Sequence, residues 1–232
     1  MNKNLHKGHR ERVRKRFIDY GLDSFDDHQI LELLLFYCVP MRDTNELAHK
    51  MINEFGTLYS LFDADPVVIM NKCKVSMNVA VLVSMIPSLA RRYSVSKFLV
   101  EKPILNSTKK IGNFSIALMM GRVVEHFFII CLNAQRKLIE PVLVSEGTVD
   151  ETPIYPRKIV EIALKYQATS IVLLHNHPSG SIYPSRADIE STNKIKSALE
   201  PLNIEVLDHI IVSGNDYYSF VERNTLEEYK RK

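Results

Sequence analysis

The amino-acid sequence predicts an α+β domain that follows a small all-α unit, and three observations carry that expectation. Up to about residue 97 the apolar residues recur at helical spacing between cap and stop signals. Beyond Gly121, short runs rich in Val, Ile and Phe alternate with longer helical patterns. Among those runs, Ile171-Val-Leu-Leu174 reads as a fully buried strand that stops at His175-Asn-His177 and a Pro/Gly turn.

Residues 5 to 20 have helix-forming composition, with Val13 and Phe17 spaced for one apolar face and a basic face opposite; Gly21 ends the segment. Asp26 and Asp27 then cap a buried helix carrying Ile30, Leu31, Leu33, Leu34 and Leu35. Asp43-Thr44-Asn45 caps the next, which places Ala48, Met51, Ile52 and Phe55 on one face and stops at Gly56. Further helices are expected around 58–64, 66–71 and 78–93. Ser94 to Pro103 is mostly polar and ends at a proline, so it reads as a linker between a helical domain, 1–97, and a second domain, 104–232. There, Asn106-Ser107-Thr108 starts a helix to about Met120, and Glu125 to Leu132 and Lys137 to Val144 form a hairpin across Asn133-Ala-Gln-Arg136, with Gly147-Thr148 breaking its second strand. Pro156 opens a helix through Tyr166 with Ile159, Val160, Ile162 and Ala163 on its buried side. After the Ile171 strand come a helix from Ser185 to about Leu199, a strand from Glu205 to Val212, a turn at Gly214-Asn215 and a last strand from Tyr217 to Val221.

Composition narrows the function classes. The longest apolar stretches are Ile30 to Val39 and Val79 to Ile86, well short of the ~18 residues a membrane-spanning helix needs, so no membrane partner is expected. No secretory signal pattern opens the chain, and Cys38, Cys73 and Cys131 are far apart with no CxxC, which reads as reduced thiols and a cytoplasmic location. Residues 1–16 carry seven Lys and Arg against one Glu, more than the net charge of +3, so the rest of the chain is net acidic. A basic run is ordinarily a solvated face; the functional alternative is a weak, non-specific DNA contact through residues 10–16.

The Ile171 strand carries the chemistry. His175 and His177 are two apart, so both imidazoles leave the same face of an extended strand. Pro178 and Gly180 turn the chain, Pro184 leads into a helix, and Ser185 and Asp188 take its N-cap and N3 positions, which returns a carboxylate to the strand end. A histidine at a strand end is ordinarily a polar terminus, and Ser-x-x-Asp is ordinarily a capping box. Capping alone, however, calls for no pair of imidazoles on one face before the turn. Two imidazoles and one carboxylate, His175, His177 and Asp188, match the three protein ligands of a catalytic zinc site that keeps its fourth position for water.

With those residues in hand, His-x-His-x7-Ser-x-x-Asp resembles the JAMM (MPN+) metallohydrolase motif, and His-Asn-His-Pro-Ser-Gly followed by Pro-Ser-x-x-Asp is similar to its RadC branch. The resemblance covers nearly the whole chain and implies an MPN/JAB-type fold with a mixed sheet and flanking helices. It implies one zinc ion per chain held by His175, His177 and Asp188. It also implies Glu125 as the base that takes the proton from water, the Ser185 hydroxyl as oxyanion donor, and a peptide or protein substrate cut at an amide or isopeptide bond. A second candidate base, Glu146, sits where a solvated carboxylate is ordinary. Arg157 matches the family's Pro-Arg pair but is flanked by Tyr155 and Lys158 and reads as a helix-start ion pair. Asp208-His209 resembles the Asp-His of the family's penultimate strand and reads as supporting structure rather than as a ligand, while Asn176 should face away from the metal. In the helical domain the resemblance implies a helix-hairpin-helix, although the stretch Asn71 to Asn78 lacks the glycine such a hairpin uses to approach phosphates. The rival expectation is a DNA-repair accessory protein that binds nucleic acid through this domain and keeps the metal for structure.

Overall fold

Side chains that alternate between the two faces of the strands sort the second half of the chain into layers. In the computed structural model, which describes residues 8–40, 43–147 and 155–226, the chain forms two compact units, Met1–Leu89 and Ala90–Lys232. Residues 5–7 of the first expected helix, the basic Lys3 and Lys7, and Thr148 lie outside the described residues.

The first unit is helical: α1 His9–Tyr20, α2 Asp27–Leu35, α3 Asn45–Phe55, α4 Leu58–Phe62, α5 Pro66–Cys73 and the start of α6, Met77–Glu101. Its core joins Leu31 and Leu35 of α2 to Ala48 and Met51 of α3, Leu61, Ile69 and Val83. The apolar face expected on α1 is not buried: no residue of α1 reaches the core, and Phe17 is 44% exposed. Polar contacts hold the helix instead. Arg10 donates to the carbonyls of Phe36 and Val39, and Arg16 donates to Gln29 and to the Ser24 carbonyl. Between α5 and α6 the left-handed residue that a glycine would ordinarily provide is Lys74, at φ 56° and ψ 44°.

Helix α6 runs on to Glu101, so the segment read as a polar linker is mostly helix. Val95, Phe98 and Leu99 recur at helical spacing within it and pack against the core of the second unit, which outweighs the intervening polar residues.

The second unit is an α+β domain built on a five-stranded mixed sheet in the order β2-β1-β3-β4-β5, with β1 His126–Leu132, β2 Leu138–Glu146, β3 Ser170–Asn176, β4 Glu205–Ser213 and β5 Asp216–Ser219. β1 pairs antiparallel with β2 and β3, β3 pairs parallel with β4, and β5 closes the edge antiparallel to β4. Every residue of β1 and β3 is buried, as a central strand covered on both faces requires. Phe128, Ile130, Val172, Leu174, Ile210 and Val212 face α7, Thr108–Met119; Phe127, Ile129, Ile171, Leu173 and Val206 face α8, Pro156–Lys165, and α9, Arg186–Leu199. Packing of α7 is close: a Cβ built on Gly112 would overlap the Tyr217 ring, so any larger residue there would have to displace that ring. α9 is the crossover that parallel β3 and β4 require, and it returns its N-terminus to the carboxyl end of β3.

Among the described residues no helix is long and apolar enough to cross a membrane.

Candidate metal centre

Alternation along β3 sends Ile171, Leu173 and His175 to the α9 face and Asn176 to the other. Asn176 duly points away from the imidazoles and stitches the strand ends together. Its Oδ1 accepts from the His126 backbone at 2.8 Å, and its Nδ2 donates to the Val124 carbonyl at 3.0 Å. His175 is fully buried, whereas His177, one residue past the strand, lies at the mouth with 15% of its side chain exposed.

The helix start behaves as a capping box. The Asp188 backbone N–H donates to Ser185 Oγ at 3.1 Å, while Ser185 N and Oγ donate to Asp188 Oδ2 at 2.7 and 2.6 Å. That reciprocal cap also aims the carboxylate. Asp188 Oδ1 lies 3.3 Å from His175 Nε2 and Oδ2 lies 3.7 Å from His177 Nε2; the two Nε2 atoms are 2.9 Å apart. The capping and metal readings are therefore one arrangement, in which the cap presents a carboxylate to two imidazoles.

Glu125 stands immediately before β1, and β1 pairs antiparallel with β3, Phe127 opposite His175. Register thus brings Glu125 to the histidines: one ligand atom from each of Glu125, His175 and His177 lies within 4.8 Å of the others. Glu146, at the end of β2, is directed elsewhere, with Oε1 3.4 Å from His126 Nε2 and more than half of its side chain in solvent. Arg157 makes an exposed i,i+4 pair with Glu161 at 2.9 Å, as a helix-start ion pair should.

Burial keeps His175 and His209 neutral. Desolvation pushes the His175 pKa down to about 4 in spite of the Asp188 carboxylate beside it, and desolvation together with His175 and His177 pushes His209 well below its ordinary value. His177 Nδ1 lies 2.8 Å from the Ser181 carbonyl, which can only accept, so the proton of the neutral ring sits on Nδ1 and Nε2 presents its lone pair. Imidazole nitrogen and carboxylate oxygen, gathered together with that lone pair turned inward, form a donor set that could hold a metal ion.

Two residues at this centre escaped the sequence reading. Thr192 is buried and contacts both the Asp188 carbonyl and His209; its i+4 spacing from Asp188 was the available signal. Ser181 contributes only its backbone carbonyl, for which side-chain chemistry gives no sign.

A mixed α+β domain with a candidate metal-binding group at the carboxyl end of a buried strand has the architecture of the metal-dependent hydrolase-like JAB folds. Comparison with known proteins is more specific. Residues 105–226 match the RadC-like JAB domain family. The chain is also 36% identical over 236 residues to the UPF0758 protein FN0909 of Fusobacterium nucleatum subsp. nucleatum, an alignment covering 97% of this chain and 100% of that protein. The chain therefore belongs to the RadC family.

Proposed function

We propose that this chain is a zinc-dependent hydrolase of the JAMM type that cleaves a peptide or isopeptide bond with a metal-activated water. The observation that carries the reading is the convergence of His175, His177 and Asp188 on one point with Glu125 beside it. His175, His177 and Asp188 would hold the metal, one ion per chain. Bound there, zinc supplies a water acidified to a pKa of about 7 and polarises the scissile carbonyl.

The chain's own residues do the rest. Glu125 takes the proton from the water and delivers it to the leaving amine, a role that fits a carboxylate placed next to the ligands by strand register. Ser185 supplies a hydroxyl beside the ligands, and its proton, directed at Asp188 Oδ2 in this structure, would turn to the oxyanion as the carbonyl is attacked. Free thiols at Cys38, Cys73 and Cys131 suit a cytoplasmic protein. A weak, non-specific DNA contact through residues 10–16 is a secondary assignment, which Arg10 and Arg16 support less than their charge suggests because both donate within the helical unit.

A proteolysis screen with the zinc-loaded protein, run beside its Glu125→Gln variant, tests the proposal. Cleavage by the wild type that the variant lacks is the expected result; equal cleavage by both would overturn it.

A further inference from the structure

Asp188 is linked to His175 by a second route that does not pass through its carboxylate. The Thr192 hydroxyl lies 2.5 Å from the Asp188 carbonyl and 2.6 Å from His209 Nδ1, and His209 Nε2 lies 2.8 Å from His175 Nδ1. Thr192, His209 and His175 are all buried, at 1%, 0% and 0% exposure, so water does not take part in the accounting.

The proton positions along this chain follow from its first link. Two oxygens 2.5 Å apart need a proton between them, and a carbonyl has none, so the threonine hydroxyl donates to the Asp188 carbonyl. The Thr192 oxygen can then only accept from His209, which places the His209 proton on Nδ1. His209 Nε2 is left as a lone pair and accepts from His175, which places the His175 proton on Nδ1 and turns the His175 Nε2 lone pair toward His177 and Asp188. The opposite assignment would set two lone pairs against each other at 2.6 Å between Thr192 and His209, inside the core; the adopted one leaves facing lone pairs only between His175 and His177 Nε2, 2.9 Å apart, where the metal reading puts a cation.

We propose that Thr192 and His209 are positioning residues, a two-member relay that fixes the tautomer and ring orientation of His175 so that its Nε2 is the metal-facing donor. The inference rests on the metal reading of the site for its purpose but not for its geometry. The relay joins three elements: the Asp188 carbonyl and Thr192 of α9, His209 of β4 and His175 of β3. A shift of α9 would therefore disturb the ligand on β3 as well as its own carboxylate. Partners of this kind, donating or accepting at the ring nitrogen remote from the metal, are worth roughly 10–100-fold in metal affinity.

The test uses the full chain labelled with ¹⁵N-histidine. Long-range ¹H–¹⁵N correlation of the metal-free wild type should show His175 and His209 both protonated at Nδ1. Thr192→Val, nearly isosteric, should disturb both tautomers and weaken zinc binding by about 10–100-fold in a chelator competition, and Thr192→Ser should restore both. A wild-type spectrum with His175 protonated at Nε2 overturns the relay, and needs no variant to fold. Unchanged tautomers and unchanged zinc affinity in Thr192→Val overturn it too. Wild-type protein that shows the expected tautomers yet takes up no zinc contradicts the metal reading alone, while the spectra still decide the relay.

Discussion

Each unit buries a polar knot, and the two are balanced differently. In the helical unit the Glu32 carboxylate, 2% exposed, meets a donor at each oxygen: His9 Nε2 at 3.0 Å on Oε1 and Asn45 Nδ2 at 3.2 Å on Oε2. At the end of β3 acceptors outnumber donors, because the His175 and His177 Nε2 atoms and Asp188 Oδ1 converge with no proton donor assigned among them. A knot whose donors and acceptors cancel ties α1 and α3 to α2 and needs nothing further. A knot with surplus lone pairs is one that a cation could balance. The difference marks the second knot, and not the first, as the candidate binding site.

Mutations can break that contrast, and the largest effect belongs to the residue that acts on water rather than on the metal. Glu125→Gln should keep its zinc and its fold but lose about 10²–10⁴-fold in kcat/KM on any substrate the wild type cleaves, the usual scale for removing a general base. Glu146→Gln should lose little, since its carboxylate pairs with His126 in partial solvent. The reverse pattern in steady-state assays would mean that the base is misassigned.

Removing one member should destabilise the first knot and not the second. Glu32→Ala leaves the His9 and Asn45 donors unpaired and is expected to cost about 1–3 kcal/mol, read as a lower urea midpoint at unchanged m. Asp188→Asn replaces a surplus acceptor by a group that can donate, so in chelator the variant should melt no earlier than the wild type while losing zinc. If both variants lost comparable stability in chelator, the two knots would be alike.

Acid sharpens the same contrast. An unfolded histidine takes up its proton near 6.5, whereas buried His175 does so only near 4, and His209 is shifted in the same direction. Between those values the unfolded state holds more protons, so the metal-free protein should lose stability as pH falls from 6.5 toward 4. Chemical denaturation at pH 7, 6 and 5 checks this before most carboxylates titrate; a flat profile would show that the imidazoles are not desolvated.

The succession of strands along the chain, the capping box of α9 and the one-faced histidine pair were all legible in the sequence because each rests on local pattern and spacing. The relay was not, since His209 becomes a neighbour of His175 only once β3 and β4 lie parallel with Leu173 opposite His209. Likewise the 94–101 segment misled because composition outweighed spacing: its polar residues suggested a linker, while Val95, Phe98 and Leu99 were already placed to pack. On α1 the error ran the other way, with the spacing of Val13 and Phe17 suggesting a burial that polar contacts from Arg10 and Arg16 made unnecessary.

The smallest effect concerns α1. Because a few phosphate contacts give weak binding that salt removes, any affinity of the full chain for duplex DNA should vanish with added salt and with neutralisation of Arg12, Arg14 and Lys15. Gel-shift titration at two salt concentrations measures it, and tight binding that survived both changes would favour the repair-accessory reading.

The surplus of acceptors at the end of β3 is tested most directly by elemental analysis of purified wild type and His177→Ala. The wild type should carry one zinc per chain and the variant none, with the circular-dichroism signal of the helices retained in both. Equal zinc content in the two proteins would contradict it.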